Sequence, residues 1–265
     1  MNYIKLNDGN RIPAVGFGVL FIPEGKETYE ATLTALRAGY RHIDTAAGYF
    51  NEASVGKAVR DSGIPREEIF VTSKIWIQDH GYIDLYLIHQ PYSDILGTWR
   101  AMEEAKAAGQ LRSIGVSNMT PKFYREFIPQ FKTKPAVNQM EFNPFFQQKE
   151  LRKLMEADDV KLEAWYPLGH GDAKLLQQPE IVRLAEKYGK NTGQIILRFE
   201  YQEGVVTLPK STNKGRIKGN IDLFDFALTE AEMNTLRALD TGKGAFDPEA
   251  PGIEQMLREN YVITD

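Results

Sequence analysis

A (β/α)8 barrel of the TIM type, opened by an N-terminal β-hairpin, is the fold this sequence predicts. Three observations carry the prediction. Short apolar runs alternate with amphipathic helical runs along the chain, which argues for a parallel sheet. About eight such units fit into 265 residues, and roughly 250 residues is typical of one barrel of this kind. The alternative, an open doubly wound sheet, should place a glycine-rich turn straight after its first strand. "GFGVLF" at 16–21 has two glycines at the right spacing but no third, and no helical run starts there.

The elements follow in order. "IKLNDGNRIP" sets Asp8-Gly9 between two β-like runs, a good hairpin signal. "AVGFGV" reads as the first barrel strand, and "GKETYEATLTALRAG" as a helix ending on Gly39. "RHIDTA" is the second strand, followed by a helix from Asn51 to Gly63. "FVTSKIW" and "IDLYLIHQ" are the third and fourth strands. Ile95 to Gly109 has apolar positions three and four apart and a terminal glycine, as a helix should. After the fifth strand, "LRSIGVS", Thr120 is placed to cap a helix that has Pro121 at its first position. "PAVNQMEF" and "KLEAWYPL" are the sixth and seventh strands, with "QQKELRKLMEADD" as the helix between them. "PEIVRLAEKYGK" and "TGQIILRFEYQ" lead to the eighth strand, "GVVTLPKS". No low-complexity tract or Pro/Ser linker interrupts the chain, so residues 1–265 are expected to form one domain.

One junction breaks the pattern. Only "IQDHGY" lies between the third and fourth strands. A parallel pair needs a return crossover, usually of a dozen or more residues with a helix. Six residues span at most about 20 Å. A hairpin would fit the length but would reverse one strand.

Composition narrows the function. The net charge of −4 gives no support for a nucleic-acid partner or an anionic membrane surface. The absence of cysteine removes disulfides and thiol catalysis. No apolar run is long enough to span a bilayer. The N-terminus, "MNYIKLNDGNRIP", lacks the regions of a signal peptide, so a cytoplasmic location is expected. The four histidines show no metal-binding spacing, so no metal is expected.

In such a barrel, chemistry gathers at the C-terminal ends of the strands. Those ends carry Asp44 with Tyr49 just beyond, Lys74 and Trp76, His89, Ser117-Asn118, Gln139, Trp165, and Lys210-Ser211. Each has a structural explanation taken singly: a helix cap, a loop aromatic, an edge lysine, a core histidine. Four such coincidences at successive strand ends argue against that explanation for the set.

"GFGV", "RHIDTAAGYFNE", "VTSKIW", "DLYLIHQP", "GVSN", "NQMEFNP", "EAWYPLG" and "LPKSTNKGRIKGN" fall in order along nearly the whole chain. In these motifs the sequence resembles the aldo-keto reductases, close to the bacterial branch that includes the 2,5-diketogluconate reductases. The resemblance implies NADPH-dependent reduction of aldehydes or ketones, with Asp44, Tyr49, Lys74 and His89 as the catalytic tetrad. It implies that Ser117, Asn118 and Gln139 hold the nicotinamide carboxamide, with Trp165 stacked on the ring and Leu168 beside the cofactor. Lys210, Ser211 and Arg216 would take the 2′-phosphate, and Asn220 the adenine. Phe50, Trp76 and the C-terminal tail would line the pocket for a small carbonyl substrate. A monomer is expected.

The chemistry suits these residue types. Hydride transfer to a carbonyl leaves charge on oxygen, which a nearby proton donor must neutralise. A tyrosine is a poor acid at neutral pH, and a neighbouring ammonium should lower its pKa. A catalytically weak nucleotide-binding sensor on the same fold is the alternative reading.

Relatives place a helix of roughly five turns where this chain has "IQDHGY". Its third outer helix is therefore expected to be absent. Either the molecule lacks that helix, or the segment is missing only from the sequence as written. The second explanation is preferred, because losing a wall helix should cost more than a typical fold's margin.

Overall fold

The computed structural model describes residues 2–74, 83–92 and 94–260. Strands β1 (Tyr3–Lys5) and β2 (Arg11–Pro13) form the expected antiparallel hairpin. Its turn needs Gly9 at φ 87°, a conformation few other residues accept. The hairpin plugs the N-terminal end of the barrel. Leu6 and Ile12 pack against Phe70, Leu85, Leu87, Val137 and Val206, which line the barrel floor. Asn7 and Asn10 donate to the Pro135 and Arg112 carbonyls, and Lys106 pairs with Asp8 at 2.7 Å.

Eight parallel strands follow in sequence order: β3 (Phe17–Gly18), β4 (His42–Asp44), β5 (Phe70–Lys74), β6 (Ile83–Ile88), β7 (Leu111–Ser117), β8 (Val137–Glu141), β9 (Lys161–Trp165) and β10 (Val206–Thr207). A parallel bridge between Val15 and Thr207 joins the first of them to the last and closes the barrel. Gly16 N–H donates to the Thr207 carbonyl, and Thr207 N–H to the Ala14 carbonyl. The seam is tight. A Cβ on Gly16 would stand 2.5 Å from His42 Nδ1 and 2.6 Å from Leu208 Cδ2. Gly16→Ala is therefore expected to cost about 1–3 kcal/mol, the range for overpacking a core, measured by urea unfolding.

The helices lie outside. They are α1 (Lys26–Arg37), α2 (Glu52–Asp61), α3 (Ile95–Ala107), α4 (Pro121–Phe127), α5 (Lys149–Ala157), α6 (Ala173–Leu176), α7 (Pro179–Tyr188), α8 (Thr192–Gln202), α9 (Lys214–Ile221), α10 (Glu230–Arg237) and α11 (Ile253–Asn260). Their buried faces join the outward strand residues in two apolar clusters. Thr120 caps α4, with Pro121 at the first position, as expected. Asn51 precedes α2 but does not cap it; its amide instead ties Val19 and Ile22 to Thr45. Helix α10 was not anticipated, although Thr229 and Glu232 form a reciprocal capping box in the sequence "TEAE".

The junction between the third and fourth barrel strands resolves clearly at its ends. β5 and β6 are parallel neighbours, with Thr72 opposite Leu85 and Lys74 opposite Leu87. A hairpin is thus excluded. Among the described residues no helix lies between them. Residues 75–82 lie outside the described residues, so the chain step that would separate a true deletion from an omitted segment lies there as well. Asp84 ties this part of the wall together. Its buried carboxylate accepts from Arg66, from Arg112 and from the Val71 backbone N–H, at 2.8–2.9 Å.

Candidate active site

The first barrel mouth residues come from β4 and β5. Strand alternation turns Asp44 and Lys74 inward. Lys74 is 1% exposed and Asp44 4%. Lys74 Nζ lies 2.8 and 2.9 Å from the two Asp44 carboxylate oxygens and 3.0 Å from the Thr45 carbonyl. Directly after β4, the chain makes a 3-10 turn over Ala47–Tyr49. That turn brings Tyr49 back over the lysine, with the ammonium 4.8 Å from the ring centroid. His89, just past the end of β6, meets Tyr49 edge to face at 5.7 Å. Four residues distant in sequence thus converge at one point of the mouth.

Electrostatics sharpen their roles. Burial opposes the charge on Lys74, but Asp44 and Tyr49 overcome it and raise its pKa above the ordinary value. Burial and Lys74 both push His89 down, to about 3, so its ring is neutral at pH 7. Tyr49 departs from the sequence expectation. Lys74 does pull its pKa down, but burial outweighs that pull, and with Asp44 raises it to about 12. The hydroxyl therefore keeps its proton at neutral pH.

The next strands bring the second group. Ser117 Oγ donates to the Gln139 carbonyl at 2.9 Å. Asn118, at φ 58°, donates towards the His89 carbonyl and accepts from Trp165 Nε1 at 3.1 Å. Gln139 reaches inward, with its Nε2 2.8 Å from Asp44. The third group sits past β10. Ser211 is buried, and its hydroxyl accepts from Asn213 N–H and from Arg216 Nε at 3.3 Å. Asn213 caps α9, so the helix N-terminus faces this cluster, with exposed Lys210 beside it. A positive helix end, a hydroxyl and two cations suit a phosphate. Asn220 is buried on the same helix, and Leu168 packs between the two outer clusters. Phe50 is 54% exposed and left-handed, at the mouth rim. Trp76 lies outside the described residues.

The C-terminal tail closes over one side. Glu141 accepts from the Ala245 and Phe246 N–H groups, and Phe246 meets Trp165 edge to face. Beneath the tail is a cavity of about 450 Å³, lined by Asn118, Glu141, Trp165 and Phe246 among others. A larger cavity of about 660 Å³ lies at the opposite end, among Arg11, Arg41 and Arg112, away from all the strand-end residues. Sequence reading missed Glu141 and the buried pair Glu163 and His42, whereas Phe246 belongs to the C-terminal tail expected at the pocket. For Glu163 a signal was present: it stands two residues before Trp165, on the same inward face of its strand.

The model of the "Aldo/keto reductase family" matches residues 22–81 and 78–241. A 9,11-endoperoxide prostaglandin H2 reductase from Trypanosoma cruzi is 41% identical, over 96% of this chain and 98% of that protein. A glyoxal reductase from Bacillus subtilis is 42% identical, over 89% and 92%. The crystal structure of an aldo/keto reductase from Brucella melitensis superposes with a TM-score of 0.83 at 43% identity, over 90% of this chain and 99% of that one. The first alignment runs over 277 positions, more than the 265 residues of this chain, so that relative carries residues with no counterpart here. The family match itself breaks and restarts at 78–81, at the short crossover.

Proposed function

Because the chain belongs to the aldo/keto reductase family, we propose that it reduces aldehydes or ketones to alcohols with NADPH, Tyr49 giving the proton. The observation that carries this reading is one buried ammonium, Lys74, bonded to Asp44 and set against the Tyr49 ring, beside neutral His89. A bound reduced nicotinamide supplies the hydride. The carbonyl oxygen then gathers negative charge, and His89 donates a hydrogen bond that holds it in place. Tyr49 passes its proton to that oxygen. The alkoxide is far more basic than a tyrosinate, so the transfer runs downhill even from a hydroxyl near 12. Lys74 steadies the tyrosinate that results, and Asp44 keeps Lys74 charged and fixed. Ser117, Asn118 and Gln139 would grip the carboxamide, Trp165 would stack on the ring with Leu168 beside it, and Asn220 would meet the adenine. Phe50 and Trp76 would border the substrate. The test is a cofactor-oxidation screen over aldehydes, keto acids and keto sugars with NADPH and NADH. No oxidation with any substrate, despite nucleotide binding, would favour the second reading, a weak sensor, which draws on the short crossover beside Lys74. The reading also takes the protein as a cytoplasmic monomer, checked by sedimentation and cell fractionation.

The choice of NADPH rests on Lys210, Ser211 and Arg216. Charge-assisted contacts to a 2′-phosphate should favour NADPH over NADH by about 2–3 kcal/mol. Arg216→Ala is expected to remove much of that preference, read as the ratio of the two dissociation constants. Equal affinities in the parent protein would overturn the assignment.

A further inference from the structure

Beneath the tetrad lies a polar layer that this mechanism leaves unused. Glu163 on β9 and His42 on β4 are both fully buried. Gln139 Nε2 donates to Glu163 Oε2 at 2.7 Å and to Asp44 Oδ2 at 2.8 Å. A side-chain amide nitrogen carries two hydrogens, so both are spent on carboxyl groups. Gln139 Oε1 accepts nothing from the described residues, yet it is not among the sealed, unpartnered atoms of the core. It therefore faces the mouth. Glu163 Oε1 is sealed and unpartnered, 3.7 Å from His42 Nε2, which itself meets Thr72 Oγ1 at 2.9 Å.

We propose that Glu163 is a positioning residue: with Asp44 it clamps the Gln139 amide in one orientation, so that only a carbonyl oxygen meets the ligand. The ligand group selected is then an N–H donor. Without the second acceptor, the amide is free to turn and offer its own N–H instead. This rests on the nicotinamide reading of the site, whose carboxamide carries such a donor. A 3-acetylpyridine ring in its place carries none.

Glu163 suits the task because it accepts without burying a second uncompensated charge. Burial and then Asp44 push its pKa up to about 8, against the Gln139 hydrogen bond and Lys74. The groups that face it are Asp44 and His42 from β4, Lys74 from β5, Gln139 from β8, and Tyr49 from the turn after β4. His42 is held neutral, down at about 3, by burial and by Lys74. Only the Gln139 hydrogen bond and Lys74 favour ionisation, and burial with Asp44 outweighs them, so Glu163 is a neutral acid at pH 7. Its folded value exceeds its unfolded one, so the fold loses stability from this group as pH rises from about 4.5 to about 8.

The test compares binding of NADPH and its reduced 3-acetylpyridine analogue, by fluorescence titration, in the parent, Glu163→Gln and Glu163→Leu. The parent should prefer the carboxamide roughly fivefold to tenfold, the effect of one hydrogen bond. Glu163→Gln keeps an acceptor oxygen and should keep the preference, while flattening the stability slope between pH 5 and 8. Glu163→Leu should lose the preference. If Leu does not fold, Glu163→Thr, whose hydroxyl ends short of Gln139, replaces it with the same expected loss. A folded Leu or Thr variant with the parent's preference overturns the clamp alone. A parent that binds NADPH but shows no preference also overturns it. A parent that binds neither nucleotide overturns the cofactor reading, and the clamp with it.

Discussion

Tyr49→Phe is expected to cut kcat on carbonyl substrates on the order of 10²-fold or more, with cofactor affinity nearly unchanged. General acid catalysis contributes about 10²–10⁴-fold, and the substitution removes the proton while keeping the ring. The ring still meets His89 edge to face and still covers Lys74, so binding contacts persist. Steady-state kinetics and a cofactor titration check both halves. A variant that turns over near the parent rate would mean the proton comes from elsewhere. The parent's pH profile belongs to the same experiment. His89 falls to about 3 and Tyr49 rises to about 12. Between pH 5 and 7 the rate should therefore be flat, with no inflection near the ordinary histidine value of 6.5.

Asp44→Ala is expected to destabilise the fold by about 3–5 kcal/mol, the cost of breaking a buried ion pair by removing one partner. That is a large share of a typical margin of about 5–15 kcal/mol. The substitution leaves the Lys74 ammonium sealed in the barrel with, among the described residues, only the Thr45 carbonyl and the Tyr49 ring beside it. It also takes one of the two acceptors from Gln139. The folded pKa of Lys74 lies above its ordinary value of 10.5. The pair's contribution is thus fully present below that value and fades only as pH rises through the higher one. Urea unfolding should show a constant deficit from pH 6 to 9. Activity should fall with it, because a lysine that has lost Asp44 is no longer held where it steadies the tyrosinate. A loss below 1 kcal/mol would show that the pair is dispensable to the fold.

Much of this was legible in the sequence because it depends on local patterns. Alternating β and α runs gave the parallel barrel, and Asp8-Gly9 gave the hairpin. Thr120-Pro121 gave the start of α4, since capping is settled within a few residues. The strand-end residues Asp44, Lys74 and His89 could be found because a barrel places its chemistry on one rim. What stayed hidden depends on residues far apart in the chain. Glu141 looks like any strand carboxylate until residues 245 and 246 bring their N–H groups to it. The direction of the Tyr49 shift was misread because proximity to Lys74 is visible in a motif, whereas burial is not.

By itself, then, the sequence determined the order and kind of the elements and which polar side chains stand at the barrel mouth. Periodicity and strand ends are properties of a short stretch of chain. The parallel order of β5 and β6 was expected, but only the tertiary structure decided their register, with Thr72 opposite Leu85 and Lys74 opposite Leu87, since register is fixed by neighbours on both sides. It alone decided the charge states in the barrel. Those follow from how deeply Lys74, Glu163 and His89 are withdrawn from water, and from which of them share hydrogen bonds. Desolvation and Coulomb energy both depend on distances through space, and a linear sequence does not contain them.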